Sequence, residues 1–235
     1  LPIIIMVATR ENFGDTIVYR NNFLKVIPDN VPDLIAYLPE VTKDKGFTVL
    51  VSIIKMIIGK RDVLYFFILA SIQGIILTSV YRKYSISYIM SVFLFVASTD
   101  YVGWMYNGIR QFMAVVIILA ATPFLLKRKY IPLIAMIVLA STMHQSALIM
   151  IPVVFIVQGK AWNKKTLLFI LAVLIAIFFV GSFTSLMDSA LADTQYKNVV
   201  SDFTEFKDDG TNPIRVLIYS IPAILSFFGR KKIQE

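Results

Sequence analysis

The sequence predicts an all-α, polytopic integral membrane helical bundle with short re-entrant or interfacial helices on its outer face. Three observations lead to this prediction. The 235 residues are 57% hydrophobic and their mean hydropathy is +0.74, whereas a soluble domain is about 45–50% apolar. The apolar residues are gathered in long runs. Short basic clusters separate these runs, which is typical of a multi-spanning protein that follows the positive-inside rule.

The first 46 residues combine a short apolar run with a long polar segment. Residues 1–8 are too short to cross a bilayer, and because the chain does not begin with Met we expect them to be the tail of a helix in a fragment. Residues 10–46 have a net charge of −1 and contain three prolines. Within them, Asp15 is expected to cap a short helix, and residues 31–38 are expected to form an amphipathic helix on the membrane surface.

Four apolar runs follow, and their lengths predict different roles. Residues 47–58 would rise only about 18 Å as a helix, so we expect an interfacial or re-entrant helix there. Residues 63–80 are long enough for a membrane span. A shorter run occupies residues 86–99, and the run that starts at Phe112 and ends at Leu126 is expected to be another span.

The second half of the chain contains three further apolar runs. Residues 131–157 allow two interpretations: one tilted helix of 27 residues, or two short helices that break around residues 141–146. Residues 166–183 have the length of a span, and residues 214–228 form the last run. The segment between them, 184–213, has a net charge of −4, and we expect a solvated loop without a metal site.

These elements are expected to form one polytopic domain over residues 1–235. The positive-inside rule places four basic clusters in the cytoplasm: 82–83, 127–129, 160–165 and 230–232. The polar segments then lie outside, at about residues 9–46, 100–110 and 184–213. This topology requires that residues 131–157 form two short helices and that residues 47–58 do not cross. Lys60 and Arg61 then lie outside, against the rule.

The polar and aromatic stretch 100–111 runs directly into a predicted span. If a helix begins near Asn107, then Asn107, Arg110 and Gln111 share one of its faces. A cation in the first turn is unfavourable beside the positive end of the helix dipole unless an anion meets it, and a phosphate or diphosphate would satisfy both. The alternative is that Arg110 reaches lipid headgroups as an interfacial anchor.

His144 is the only histidine of the chain, and it lies among polar neighbours in an otherwise apolar region. A lone imidazole can act as a general base near neutral pH, and an ionisable group at membrane depth indicates a functional site. The alternative is a structural histidine that lies at a helix break and hydrogen-bonds a freed carbonyl group.

Two carboxylates that the topology places on the outer face, Asp15 and Asp100, each precede an aromatic-rich segment. Carboxylates beside aromatic rings commonly hold sugars, because they combine hydrogen bonds to hydroxyl groups with contacts to the apolar ring faces. The rings here would come from Tyr19, Tyr101, Trp104 and Tyr106. Alternatively, these side chains belong to the aromatic belts that mark membrane interfaces.

Several classes of site are excluded by the sequence. The chain has no cysteine, which excludes disulfides, thiolate metal sites and cysteine nucleophiles. No set of histidine and carboxylate residues has metal-binding spacing, and no phosphate-binding loop for nucleotides occurs. The net charge of +8 lies in clusters between apolar runs, which argues against nucleic acid as a partner. We therefore expect no metal and no cofactor.

Two motifs occur in a fixed order on either side of a predicted span. The first is Asn107-Gly108-Ile109-Arg110-Gln111-Phe112-Met113-Ala114, and the second, about thirty residues later, is His144-Gln145-Ser146-Ala147. Upstream, the chain has Gly14-Asp15-Thr16 with Tyr19, and Gly46-Phe47. With these elements, the chain resembles the EpsG family of bacterial exopolysaccharide and capsule proteins, which is similar to the Wzy O-antigen polymerases.

The resemblance implies a polysaccharide polymerase in the bacterial cytoplasmic membrane, a multi-pass protein working at the outer face. It would join undecaprenyl-diphosphate-linked oligosaccharide repeat units: the growing chain is the donor, its diphosphate lipid leaves, and a hydroxyl of the incoming unit attacks. The expected substrate-binding residues are Arg110, Asn107, Gln111, Trp104, Tyr106 and Tyr19. The expected catalytic residues are His144, Asp100 and Asp15. Besides the lipid-linked oligosaccharide and the bilayer, a chain-length regulator and a flippase are candidate partners.

Two other functions fit parts of the same pattern. A flippase or transporter of lipid-linked oligosaccharides would also need an arginine for the diphosphate, although such proteins usually carry inverted repeats, which this sequence lacks. A membrane acyltransferase that decorates the polysaccharide would also use a lone histidine.

Overall fold

The computed structural model describes residues 2–156, 162–178, 189 and 213–234. Within these residues the regular elements are helices and no strand occurs, which confirms the all-α prediction. The chain divides into two compact units, residues 1–151 and residues 152–235. The candidate site lies entirely within the first unit.

The N-terminal third of the chain forms short helices and one longer one. Their bounds are α1 Pro2–Ala8, α2 Thr16–Asn21 with a π-helical turn Asn22–Val26 after it, α3 Val31–Tyr37 and α4 Lys45–Ile58. Asp15 lies at the N-cap of α2, as the sequence predicts, but its side chain makes no capping hydrogen bond. The side chain of Asn30 caps α3 by accepting a hydrogen bond from the Asp33 amide at 2.9 Å.

The middle of the chain contains the two longest apolar helical segments. The helices are α5 Asp62–Tyr84, α6 Tyr88–Ala97, α7 Thr99–Tyr106, α8 Ile109–Ala120 and α9 Thr122–Leu126. Two segments, Asp62–Tyr84 and Ile109–Leu126, are long and apolar enough to cross a membrane. They contain the two spans that the sequence predicts in this region.

Within the run 131–157, the described residues 131–156 form two helical parts rather than one helix, which settles the ambiguity of the sequence. The helix α10 Tyr130–Met143 ends before His144, whose backbone is extended. A 3₁₀ helix Gln145–Ile149 and then α11 Met150–Ile156 continue the chain. Polar residues near the C-terminus of α10 favour its termination there, because Ser141 and Thr142 each donate a hydrogen bond to a carbonyl three residues earlier.

The core of the first unit packs aromatic and aliphatic side chains of α5 against α8 and the π-helical turn. Phe23 stacks on Tyr65 with ring centroids 4.3 Å apart, and Phe66, Leu69 and Met113 are fully buried beside them. This packing joins the N-terminal segment to the two long helices and thereby brings the polar residues at their ends together.

The second unit contains α12 Lys164–Phe178 and the helices Pro213–Phe228 and Arg230–Gln234. Trp162 donates a hydrogen bond to the Ser226 hydroxyl at 3.1 Å, and its ring lies edge-on to Phe227. The predicted span 166–183 is helical through residue 178, and its remaining residues lie outside the described part of the chain. The predicted loop 184–213 is described only at residues 189 and 213.

Candidate functional site

The site begins at the N-terminus of α8. The helix starts at Ile109, two residues after Asn107, and no side chain caps it. Gln73, buried in the middle of α5, donates a hydrogen bond to the Ile109 carbonyl at 3.2 Å. This bond fixes the first turn of α8 against α5, and Arg110 is the second residue of that turn.

Arg110 makes two polar contacts with the N-terminal part of the chain. Its Nη1 lies 2.8 Å from Oδ2 of Asp44, and its Nε donates to the Tyr19 hydroxyl at 3.4 Å. The guanidinium also lies 5.9 Å from the centre of the Tyr19 ring. The Arg110 side chain remains 39% exposed, so an anion from outside can still reach it.

Asp44 is a buried carboxylate immediately before α4. Its side chain is 2% exposed, and its backbone adopts a left-handed conformation with φ of 54°. Oδ2 contacts Arg110, whereas Oδ1 is buried and has no hydrogen-bond partner among the described residues. The left-handed turn directs the chain into α4 and leaves this carboxylate at the helix entrance.

His144 shares the same carboxylate oxygen. Its Nδ1 lies 3.3 Å from Oδ2 of Asp44, a contact that becomes an ion pair when the imidazole is protonated. The break after α10 places the ring there, because the backbone amide of His144 still donates to the Ala140 carbonyl while the chain turns away. His144 therefore lies at a helix break and also contacts a charged partner.

A close approach of α4 to α10 makes this contact possible. A Cβ atom on Gly46 would come within 2.1 Å of the Thr142 hydroxyl oxygen and 3.0 Å of its carbonyl oxygen. Only glycine fits this position, so the start of α4 lies directly against the end of α10. Asp44 and His144 each lie two residues from this contact.

A cavity of about 450 Å³ opens beside these residues. Its lining includes Arg110, Asp44, Tyr19 and Asp15, together with side chains from the segment between α2 and α4. His144 does not line the cavity itself and adjoins it through Asp44. The lining combines two cations, three carboxylates and three phenols, which suits a ligand with both anionic and hydroxyl groups; the members not yet named are Lys43, Glu40, Tyr37 and Tyr65.

Asn107 holds the turn that carries Asp15. Its Oδ1 accepts a hydrogen bond from the Asp15 amide at 3.3 Å, and a Cβ atom on Gly14 would lie 2.1 Å from the same oxygen. Gly14 also has φ of +50°, which favours glycine. In this structure Asn107 thus contacts the Gly14–Asp15 turn rather than the cavity.

The other expected site residues lie further away or are only partly described. Trp104 covers Gly108, and Tyr106 donates to the Met6 carbonyl at 3.2 Å. Gln111 is half-buried in the first turn of α8 and does not line the cavity. Asp100 belongs to α7, but its side chain and that of Tyr101 lie outside the described part.

Arg10 is a buried cation that holds the segment leading into α8. Arg10 donates to the carbonyls of Met105 at 2.7 Å and Tyr106 at 3.2 Å, and its guanidinium lies 3.9 Å from the centre of the Phe66 ring. Burial lowers the pKa of Arg10 to about 10, so the guanidinium stays charged at neutral pH. Arg10 therefore fixes the end of α7, from which the chain continues into α8.

Sequence reasoning missed Asp44 and Arg10. Asp44 lies two residues before the Gly46-Phe47 element, and a carboxylate at that position was a usable signal. Among the described residues, no group of three or more histidine and carboxylate side chains could hold a metal ion. The chemistry available here is anion binding by Arg110 and proton transfer by His144 or a carboxylate.

Comparison with known proteins settles the family. The model of the EpsG family matches residues 1–235, the whole chain. The chain is a member of the EpsG family. No curated protein and no solved structure matches it. Membership of the EpsG family, together with the two apolar helices, indicates a membrane-associated protein of polysaccharide biosynthesis.

Proposed function

We propose that this EpsG-family protein is a polysaccharide polymerase that joins undecaprenyl-diphosphate-linked oligosaccharide units into exopolysaccharide or capsule. The observation that carries the proposal is the shared carboxylate of Asp44, which contacts both Arg110 and His144 beside the cavity. These contacts support a site that combines the proposed anion-binding group with the proposed proton acceptor. We further propose a multi-pass arrangement in the bacterial cytoplasmic membrane, with the site towards the outer face and with a flippase and a chain-length regulator as partners.

Arg110 is the proposed binding group for the leaving diphosphate. Its charge and the N-terminus of α8, which no side chain caps, both favour an anion at this place. In the reaction, the bond between the donor sugar carbon and the diphosphate oxygen breaks, and the electron pair leaves with the lipid diphosphate. Stabilising that developing charge is the main catalytic task, because the diphosphate is already a good leaving group.

His144 is the proposed acceptor of the proton from the attacking hydroxyl. A carboxylate on one ring nitrogen orients an imidazole and stabilises its protonated form, and Asp44 is placed for that purpose. Asp15 lines the cavity, and Asp100 precedes Arg110 by ten residues, so both remain candidates for accepting the proton.

Sugar binding is proposed at the cavity wall. Tyr19 and Asp15 line the cavity and offer a phenol and a carboxylate to sugar hydroxyls. Asn107, Gln111, Trp104 and Tyr106 stay predictions as substrate contacts, because in this structure they lie around the cavity rather than in its wall.

A polymerisation assay tests the proposal. The chain, in its full-length protein, is reconstituted with a lipid-diphosphate-linked repeat unit and without nucleotide sugar, and products are resolved by length. A ladder of multiples should form, and Arg110→Ala should reduce it by about 10²-fold or more, the usual cost of losing a charge-stabilising donor. Arg128→Ala, a change in an exposed basic turn, is the matched control.

Two results would contradict the proposal. A normal ladder with Arg110→Ala would remove Arg110 from the reaction. Movement of the lipid-linked unit across the bilayer without any ladder would establish the transporter alternative instead.

A further inference from the structure

We propose that Asp44 is a positioning residue that couples diphosphate binding at Arg110 to proton acceptance at His144. The inference rests on the proposed function and adds to it a residue role and an order of events. The Asp44 carboxylate pairs with Arg110 until a lipid diphosphate binds the guanidinium. Asp44 then becomes the main partner of His144.

The geometry shows one oxygen with two partners. Oδ2 of Asp44 lies 2.8 Å from Arg110 Nη1 and 3.3 Å from His144 Nδ1, while Oδ1 has no hydrogen-bond partner among the described residues. The shorter contact is the one to the permanent cation. In this state the carboxylate is mainly the counter-ion of Arg110, and its contact with the imidazole is the weaker of the two.

Burial makes the two contacts compete. The Asp44 side chain is 2% exposed, so water cannot replace a lost partner, whereas Arg110 at 39% can meet an external anion. A diphosphate carries more negative charge than one carboxylate and is also favoured by the positive end of the α8 dipole. Once Arg110 turns to it, the buried carboxylate needs another cation, because an unpaired buried charge is costly.

His144 is the group already in contact with the same carboxylate oxygen. The described elements packed around it are α4, α8, α10 and the 3₁₀ helix, and near the site these elements and the turn before α4 carry Asp44, Arg110 and the exposed Lys43 and Lys45 as charged groups. When the diphosphate binds, we expect Asp44 to favour the protonated form of the imidazole, because the carboxylate no longer pairs with Arg110. By linkage, a protonated His144 strengthens diphosphate binding by the same factor.

The chemical step then balances. The acceptor hydroxyl attacks the donor sugar carbon, its proton passes to the imidazole, and the diphosphate leaves with the electron pair of the broken bond. The imidazolium is stabilised by Asp44 until its proton passes to water. When the lipid diphosphate departs, Asp44 returns to Arg110, and its contact with the imidazole is again the longer of the two. The enzyme thus deprotonates an acceptor mainly when a donor is in place.

The single histidine provides a direct readout. The ring proton signal of His144 is followed by NMR against pH, in the full chain in detergent micelles, with and without farnesyl diphosphate as the probe. The pH midpoint of the native chain should rise by about one unit, a tenfold gain in proton affinity, when the probe binds. Binding itself is followed by the phosphorus signal of the probe.

Two variants test the route of the effect. In Asp44→Asn, the rise should disappear while the probe still binds, and the fold should persist because asparagine tolerates the left-handed backbone. Arg110→Ala should show a raised midpoint without any probe, since Asp44 has lost its cation. The same change made in the Asp44→Asn background should have little effect.

The outcomes separate this inference from the proposed function. An equal rise in Asp44→Asn would mean that the diphosphate acts on His144 directly, and the coupling role would be wrong. Bound probe with no rise in the native chain would also overturn it, even if the polymer ladder forms. Coupling without a ladder would leave Asp44 in its role and overturn the polymerase instead.

Discussion

Buried charged side chains, each with specific partners, define the first unit at the residue scale. Asp44 is held by Arg110 and His144, while Arg10 is held by two carbonyl groups and an aromatic face. Arg20, which is only partly buried, adds a further contact, because it pairs with Asp62 at 2.7 Å and donates to the Arg10 carbonyl at 3.1 Å. Such contacts fix geometry, since each partner left alone in the interior would be costly.

Arg10 should not be replaceable by lysine. A single ammonium group cannot donate to both carbonyls and lie flat on Phe66 at once, so we expect Arg10→Lys to lower the free energy of unfolding by about 2 kcal/mol. Thermal unfolding in detergent measures this. Arg61→Lys, at an exposed position, should leave the midpoint unchanged. Equal effects of the two changes would show that the buried contacts of Arg10 contribute nothing specific.

Sequence reasoning recovers part of the site at this scale. Arg110 and His144 follow from polar residues in or beside apolar runs, and Asp15 and Tyr19 follow from a carboxylate before an aromatic side chain; all four lie in or next to the cavity. Asp44 does not follow, because it lies 66 residues from Arg110 and 100 from His144, and spacing reveals only neighbours within one element. Its contacts exist only through tertiary packing.

At the scale of elements, three helix ends meet. The starts of α4 and α8 and the end of α10 converge, and each end brings one polar side chain, Asp44, Arg110 or His144. Long apolar runs predict these helices well, since their length and hydropathy are local properties. The break at His144 was open in the sequence, because a run of 27 apolar residues fits one span or two short helices.

The contact between α4 and α10 should depend on the missing side chain of Gly46. Gly46→Ala places a methyl group against Thr142, and pushing α4 away would also separate Asp44 from His144. We expect about 1–3 kcal/mol of destabilisation and a large loss of polymer. Gly103→Ala is the matched control, because nothing lies within 4 Å of its added methyl group. Similar losses in both variants would contradict a role for close packing at Gly46.

At the scale of the first unit, the contacts favour one common face for the polar residues at the ends of its helices. Asp44 at the start of α4 meets Arg110, while the residue that follows α4 by a few positions, Asp62, pairs with Arg20. Residues at both ends of α4 therefore have partners that include the N-terminal segment, while the re-entrant or interfacial position of α4 stays a prediction. The same contacts place Lys60 and Arg61 beside that segment, on the face that we propose to be outside.

The absence of cysteine allows a direct test of this topology. Lys60→Cys should react with a membrane-impermeant maleimide added to intact cells, because the proposed outer face carries it. Arg128→Cys, at the far end of the segment Ile109–Leu126, should react only after permeabilisation. The native chain is the blank. The opposite labelling pattern would invert the topology and place the site in the cytoplasm.

The hydrogen bond from Gln73 to the Ile109 carbonyl has a consequence for how substrates arrive. Gln73 lies eleven residues beyond the start of α5, about 16 Å along the helix axis. In the proposed topology, the first turn of α8 is therefore recessed by about 16 Å from the level at which the span α5 begins, rather than lying at the outer interface. The diphosphate headgroup of a lipid at the interface must therefore move into the bilayer to reach Arg110, or the bilayer must be thinner around the cavity. We therefore expect turnover to depend on bilayer thickness. It should be higher in thin membranes, where the headgroup lies closer to Arg110, and lower in thick ones.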